Sequence, residues 1–313
     1  MKRLGQHFLK NGWALKKIVE ALELKSGDIV IEIGAGHGEL TEEIQRQATS
    51  DKRQGIKIIA IERDGGLIKI LKEKFAGNKN IEIIEGDALQ IIKKLPTNII
   101  PQLWYNISNK SGGAENLAGL KIVGNIPYYI TGRLFRVIGE LEHKPELCVF
   151  TVQKEVAERI CAGPKINPVR SRARAQARPS RASGRATSNG MNRLAASVQF
   201  WAEPKIIALL SKKDFYPAPE VESAIIKLNI KEVEPPPGGS TSQKLDAEKY
   251  YATVRKLFAQ PRKTILNNIS HGTYHVSREK IIEKLKKIGI NPGDRPQNLS
   301  MEDIIKIAAA FRF

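Results

Sequence analysis

The sequence predicts an α/β fold: a parallel sheet covered by helices on both faces, followed by a small all-helical domain. Two observations carry this. Short runs rich in Ile and Val alternate with helical patterns through the first half of the chain, the order that lays helices over both faces of a parallel sheet. From residue 245 onward only helical periodicity remains.

Taken in order, residues 12–24 read as a short amphipathic helix. The buried run at 28–33 is a first strand, and a helix follows from about Glu39. A second strand at 56–62 leads into a helix ending near Phe75. Strands at 81–87 and 120–126, a helix at 129–141, a strand at 147–152 and a helix at 154–161 continue the alternation. Further strands are expected near 204–210 and 223–230. Three segments interrupt: a polar loop at 97–118, an Arg-, Ala- and Ser-rich insertion at 164–190, and a Pro/Gly/Ser linker around 234–243. The insertion has no apolar periodicity, so it is expected to be disordered in isolation, with a possible role as an electrostatic arm. Helices are then expected at 247–258, 262–269, 277–288 and 301–311. The expected division is a domain at 1–232 carrying the insertion, a linker at 233–244 and a helical domain at 245–313.

Lys and Arg number 51 against 33 Asp and Glu, a formal charge of +18. The insertion alone supplies seven basic residues and no acid, yet 44 basic against 33 acidic residues remain outside it. A charge of this sign points to a polyanionic partner, with nucleic acid the default. Two cysteines, Cys148 and Cys161, are too few for a disulfide framework and fit a reducing compartment. No run approaches the roughly 18 apolar residues of a membrane span, and the first residues lack a secretory apolar core. A cytoplasmic monomer is expected. His271 and His275 have the spacing of a helical metal pair, but Gly272 stands between them and no third ligand is near in the sequence, so no metal is expected.

Between the first strand and its helix lie Gly34, Gly36 and Gly38. Glycine lets the backbone turn sharply and approach a ligand closely; such a loop serves a dinucleotide or S-adenosylmethionine. Glu62 ends the second strand, 24 residues after Gly38, where a carboxylate can accept from ribose hydroxyls. Asp87 ends the third and can accept from an adenine amino group. All three features fall at the carboxyl ends of successive strands, where open α/β sheets bind ligands. After the fourth strand comes Asn125-Ile126-Pro127-Tyr128, the Asn-Pro-Pro-Tyr type of motif with Ile in place of the first Pro. Its chemistry suits an exocyclic amine. The Asn125 oxygen and a backbone carbonyl stiffened by Pro127 accept the two N–H hydrogens and favour a pyramidal nitrogen. Tyr128 can stack on an extruded base.

GQHFL (5–9), IEIGAGHGELT (31–41), Glu62, GDA (86–88), GNIPYYIT (124–131), QKEVAERI (153–160), FYPAPEVESAIIKL (215–228), FAQPRKT (258–264) and RPQNLS (295–300) follow in this order. On these motifs the chain resembles the ribosomal RNA adenine dimethyltransferases of the small-subunit (KsgA) type, over nearly its whole length. The resemblance implies a Rossmann-like methyltransferase sheet, S-adenosylmethionine as cofactor and a helical rRNA-binding domain. It also implies dimethylation of two adjacent adenosines in a hairpin near the 3′ end of small-subunit rRNA, on an immature subunit. Implied cofactor contacts are His7, Leu9, Gly34, Gly36, Glu62, Asp87 and Asn125. His7 stands where many members have Asn, and Pro261 where a second basic residue often stands. Phe215 is a candidate second stacking surface, with a core position as the alternative. Two other readings remain: a large-subunit rRNA methyltransferase of the antibiotic-resistance type, and a non-catalytic RNA-binding assembly factor on the same fold.

Overall fold

The computed structural model describes residues 6–50, 53–94, 117–141, 144–164, 190–231, 247–271, 277–311 and 313. The loop at 97–118 (its last two residues apart), the insertion at 164–190 (its two end residues apart), the linker and His275 lie outside the described residues. Two compact units form: Met1–Ala157 with Ala202–Lys231, and Glu158–Trp201 with Glu232–Phe313.

The first unit opens with strand β1 (Phe8–Leu9) and helix α1 (Gly12–Ala21). The Asn11 side chain accepts from the Trp13 and Ala14 amides, satisfying donors that a helix start leaves open. Ala14, Ile18 and Val19 bury one face of α1. Glu23, at φ 49°, turns the chain away before residue 24. Then come β2 (Ile29–Ile33), α2 (Glu39–Ser50), β3 (Lys57–Glu62), α3 (Gly65–Lys74), β4 (Ile81–Glu85), α4 (Ala88–Lys93), β5 (Leu117–Asn125), α5 (Thr131–Glu140), β6 (Pro145–Gln153) and α6 (Lys154–Ile160). Strands β7 (Ala202–Leu210), β8 (Phe215–Tyr216) and β9 (Ser223–Ile230) complete the unit.

Seven strands pair in the order β4-β3-β2-β5-β6-β9-β7. The first five of these are mutually parallel. The all-parallel expectation fails at β9, which runs antiparallel to β6 and to β7. The reason is the connection: β7 reaches β9 through residues 211–222, which hold no α-helix to carry the chain back across the sheet, and a direct return gives an antiparallel pair. Every residue of β2 is buried, which is why the central strands read as continuous apolar runs. The chain moves outward from β2 to β4 on one side and from β5 to β6 on the other, so strand order reverses between β2 and β5. Ligands of open sheets bind at such a reversal, beyond the carboxyl ends of the strands.

At the other end of the sheet, Lys121 of β5 is fully buried and its Nζ lies 2.8 Å from Asp28 Oδ2. The same ammonium donates to the Glu23 carbonyl at 2.6 Å, and Asp28 also accepts from the Lys25 amide. Two buried opposite charges, each with a further backbone hydrogen bond, hold together; either one alone is an uncompensated charge.

The second unit is helical: α7 (Arg193–Gln199), α8 (Ala247–Leu257), α9 (Ile265–Ser270), α10 (Arg278–Lys287) and α11 (Met301–Ala310). Its core gathers Tyr250, Val254, Leu257, Ile269, Leu285 and Ile307 with Ala195 and Ala196 of α7. Tyr250 stacks on Phe200 at 3.9 Å and donates its hydroxyl to the Ala196 carbonyl. These contacts place residues 193–200 with the C-terminal helices, whereas the sequence assigned them to the first domain. Helix α9 begins at Ile265 and not at 262, because the Thr264 hydroxyl accepts from the Asn267 amide and caps it. No helix among the described residues is long and apolar enough to cross a membrane.

Replacing Lys121 by Met, close in volume but uncharged, strands Asp28 in the interior. The Lys121→Met protein should lose about 3–5 kcal/mol of stability in urea melts. Lys121→Met with Asp28→Asn should recover much of that loss, since no charge is then left unpaired.

Candidate active site

The β2–α2 turn holds Gly34, Gly36 and Gly38 at φ 71°, 61° and 84°, the left-handed region that glycine enters without strain. Two of the three are also hemmed in. A Cβ at Gly36 would meet the Phe8 ring at 3.1 Å, and one at Gly38 would meet Phe75 at 2.8 Å. At Gly34 the same position is open space, the side on which a ligand can approach. The Gly34 and Ala35 amides donate to the Ile61 carbonyl, binding the turn to the end of β3.

Glu62, at the end of β3, is buried and organises this corner. Its Oε2 accepts from the Gly36 amide at 2.9 Å, and its Oε1 from the Arg63 and Asp64 amides at 2.7 and 2.9 Å. A carboxylate offers about four acceptor positions, so among the described residues one stays open, on Oε2, for a hydroxyl. Asp87 caps α4, Oδ1 accepting from the Leu89 amide at 2.9 Å, and the residue is exposed. Beneath the glycine turn, Glu32 of β2 is buried and accepts from the Thr41 hydroxyl at 2.5 Å. Burial pushes the Glu32 carboxyl up to about 8; the Thr41 bond opposes the shift, while the charges of Glu39 and Glu62 add to it.

At the end of β5, Asn125 Nδ2 donates to the His7 carbonyl at 2.6 Å. A carbonyl can only accept, so the bond fixes which end of the amide is nitrogen and leaves Oδ1 as the end available to a ligand. Gly124 before it is required by close approach: a Cβ there would sit 2.6 Å from the Ile33 carbonyl oxygen. The Ile126 side chain is buried, so this residue serves the site through its backbone. The Pro127 carbonyl accepts from the Ile130 amide at 3.0 Å, closing a single turn over Tyr128–Ile130. Tyr128 shares a hydrogen bond with Ser223 Oγ at 2.7 Å and stacks with His7, centroids 6.0 Å apart. Burial raises the Tyr128 phenol above its ordinary value, partly offset by the Ser223 bond, so it stays neutral and is no base. His7 Nδ1 donates to the Pro217 carbonyl at 2.7 Å.

One cleft is lined by His7, Gly34, Gly36, Glu62, Asp87 and the whole Asn125–Tyr128 tetrad. Leu9 and Phe215 are not in it. They pair across β1 and β8 and are buried in the core of the sheet. Phe215 is therefore a core aromatic and not a stacking surface, and Leu9 offers no side chain to a ligand. Strand alternation explains this: Phe8 and Tyr216, the other pair of the same ribbon, face away from Leu9 and Phe215. Phe8 lines the cleft, packed edge-on to His37. Arg63, Leu89, Tyr129 and Arg133 also line it and were missed. Arg63, Leu89 and Tyr129 have as their signal in the sequence only their place within two residues of Glu62, Asp87 and Tyr128, and Arg133 has none. Among the described residues no His, Cys, Asp and Glu cluster could hold a metal.

A glycine turn, two strand-end carboxylates and an amide-bearing Asn-x-Pro-Tyr loop at one strand reversal define the class of S-adenosylmethionine-dependent methyltransferases that act on an amine. The model of the family described as "Ribosomal RNA adenine dimethylase" matches residues 1–172 and 177–312, and the chain belongs to that family. S-adenosylmethionine is its cofactor, and the residues fit it, with open space at Gly34, an open acceptor on Glu62 and Asp87 at the rim. The chain is 35% identical to the ribosomal RNA small subunit methyltransferase A of Dehalococcoides mccartyi, over 96% of this chain and 85% of the relative. It is 31% identical to that of Mycoplasma capricolum, over 98% and 95%. Among solved structures, a dimethyladenosine transferase from Plasmodium falciparum has the same fold, with a TM-score of 0.65 at 24% identity over 96% of both chains. The 23S rRNA methyltransferase ErmE gives 0.61 at 23%, over 97% of this chain and 98% of the other.

Glu62→Ala removes the acceptor that holds the Gly36, Arg63 and Asp64 amides and with it the acceptor position left open on Oε2. It should raise the cofactor dissociation constant by about 10-fold or more, as read by calorimetry. Glu32 gives a pH signature. Unfolded, it ionises near 4.5; folded, it keeps its proton to about 8. The folded state binds the extra proton between those values, so this contribution to stability falls as pH rises through that window. Glu32→Gln should make the wild-type fall shallower by up to about 1.4 kcal/mol per pH unit, measured as denaturant midpoints between about pH 5 and 8.

Proposed function

We propose that this enzyme dimethylates the N6 amines of two adjacent adenosines in a hairpin near the 3′ end of small-subunit (16S) rRNA. Its substrate is an immature small subunit, and it acts as a cytoplasmic monomer. The observation that carries the reading is the Asn125 amide, held by the His7 carbonyl with its oxygen left for a donor. The names of the relatives above support the choice of subunit. Bound in the cleft, the cofactor supplies an activated methyl group. Asn125 Oδ1 accepts one N–H of the target amine. The Ile126 carbonyl, stiffened by the Pro127 ring, accepts the other. Both bonds favour a pyramidal nitrogen with its lone pair free, the form that attacks, and they are worth most in the transition state. Tyr128, fixed by Ser223 and His7, offers its ring to the extruded base. No strong base is needed, because the amine becomes acidic on methylation and releases its proton to solvent. Helix α10 presents Arg278, Lys280, Lys284, Lys286 and Lys287, and the helical unit serves as an rRNA contact.

Labelled methyl groups offered with undermethylated ribosomal subunits should appear on two neighbouring adenosines near the 3′ end of 16S rRNA. Label in large-subunit rRNA instead would establish the resistance-type reading, and RNA binding without any transfer the non-catalytic one. Asn125→Ala should cut turnover by about 10²-fold or more with cofactor affinity within a few-fold. Near-normal turnover in that variant removes the role given to Asn125.

A further inference from the structure

We propose that Tyr129 and Arg133 form the subsite for the nucleotide next to the target adenosine, the ring taking its base and the guanidinium its phosphate. This rests on the reading above, that an rRNA adenosine enters the cleft. Both side chains line the cleft with Asn125 and Tyr128, about one helical turn apart. The two adjacent tyrosines are treated differently by the fold. Tyr128 is half-buried with its hydroxyl held by Ser223, whereas Tyr129 is 66% exposed and has no ring or hydrogen-bond partner among the described residues. An aromatic face left open at the lip of a cleft is a stacking platform, and stacking tolerates any base.

Arg133 differs from its neighbours in the same way. Arg136, on the same helix, pairs with Glu140, and Lys154 with Glu222. Arg133 is exposed and has neither a carboxylate nor a hydrogen-bond partner among the described residues. Drawing one base into a pocket swings its backbone to the pocket mouth, so the flanking phosphates come to the rim. A guanidinium there binds a phosphate through two parallel hydrogen bonds, and the planar fork is lost on substitution.

The test uses the full-length protein, undermethylated small subunits and four variants: Arg133→Gln, Tyr129→Leu, Tyr129→Phe and Arg136→Gln. Binding is measured across a salt series, methyl transfer as KM and kcat, and cofactor affinity by calorimetry. Arg133→Gln should raise KM for the subunit about 5-fold or more and reduce the slope of log affinity against log salt by about 0.7 to 0.9, with cofactor affinity unchanged. Tyr129→Leu should raise KM about 5-fold or more without changing the salt slope, and Tyr129→Phe should restore it. Arg136→Gln should match wild type. Wild-type KM and salt slope in Arg133→Gln, or an equal effect in Arg136→Gln, overturns the phosphate contact; wild-type KM in Tyr129→Leu overturns the stacking contact. A wild-type protein that transfers no methyl group overturns the activity reading instead, and the binding comparison alone then decides the subsite.

Discussion

The pairing of β2 with β5 is the constraint on which the site depends. These strands leave the centre of the sheet in opposite topological directions, so the loops beyond them diverge and open a crevice. The approach is close enough that only glycine fits at position 124, against the Ile33 carbonyl. Because of it, the glycine turn and the Asn125–Tyr128 loop stand side by side along one cleft. Glu62 then joins the end of β3 to the turn after β2 through the Gly36 amide. The chemistry is thus assembled by strand register, and side chains supply only its last contacts.

Charge is handled differently at the two ends of the sheet. At the amino end, Lys121 and Asp28 are both buried and neutralise one another. Near the carboxyl ends, Glu32 lies under the glycine turn with no cation in hydrogen-bond contact among the described residues, and burial pushes its carboxyl up to about 8. The Glu62 charge adds to the upward push on Glu32, while the Glu62 carboxylate oxygens accept from three backbone amides.

The central parallel strands were legible because burial on both faces makes them nearly unbroken apolar runs, and the candidate site residues because they follow the ends of strands. What was not legible depends on geometry that no local pattern carries. The direction of β9 is set by a connection lacking a helix. The placement of α7 is set by Tyr250, more than 50 residues away. Helix α4 is six residues long, too short to show a period. For Phe215 the sequence left a stacking and a core position open, one step of strand alternation apart: Tyr216 is 73% exposed while Phe215 is 5%, and nothing local says which of two adjacent aromatics faces the core. Arg133 and Tyr129 are ordinary surface residues until the fold brings the cleft to them.

The contact between Asn125 and His7 spans 118 positions of sequence, and it joins the reacting loop to the opening stretch of the chain. The acceptor is a main-chain oxygen, so the bond to the amide does not depend on the side chain at position 7, while the His7 ring separately stacks on Tyr128. What cannot be altered is the path of the backbone there, which the β1–β8 ribbon holds in register. The backbone at residues 7–9 is accordingly part of what holds the candidate site in shape, and a change in its path would be felt at the Asn125 amide.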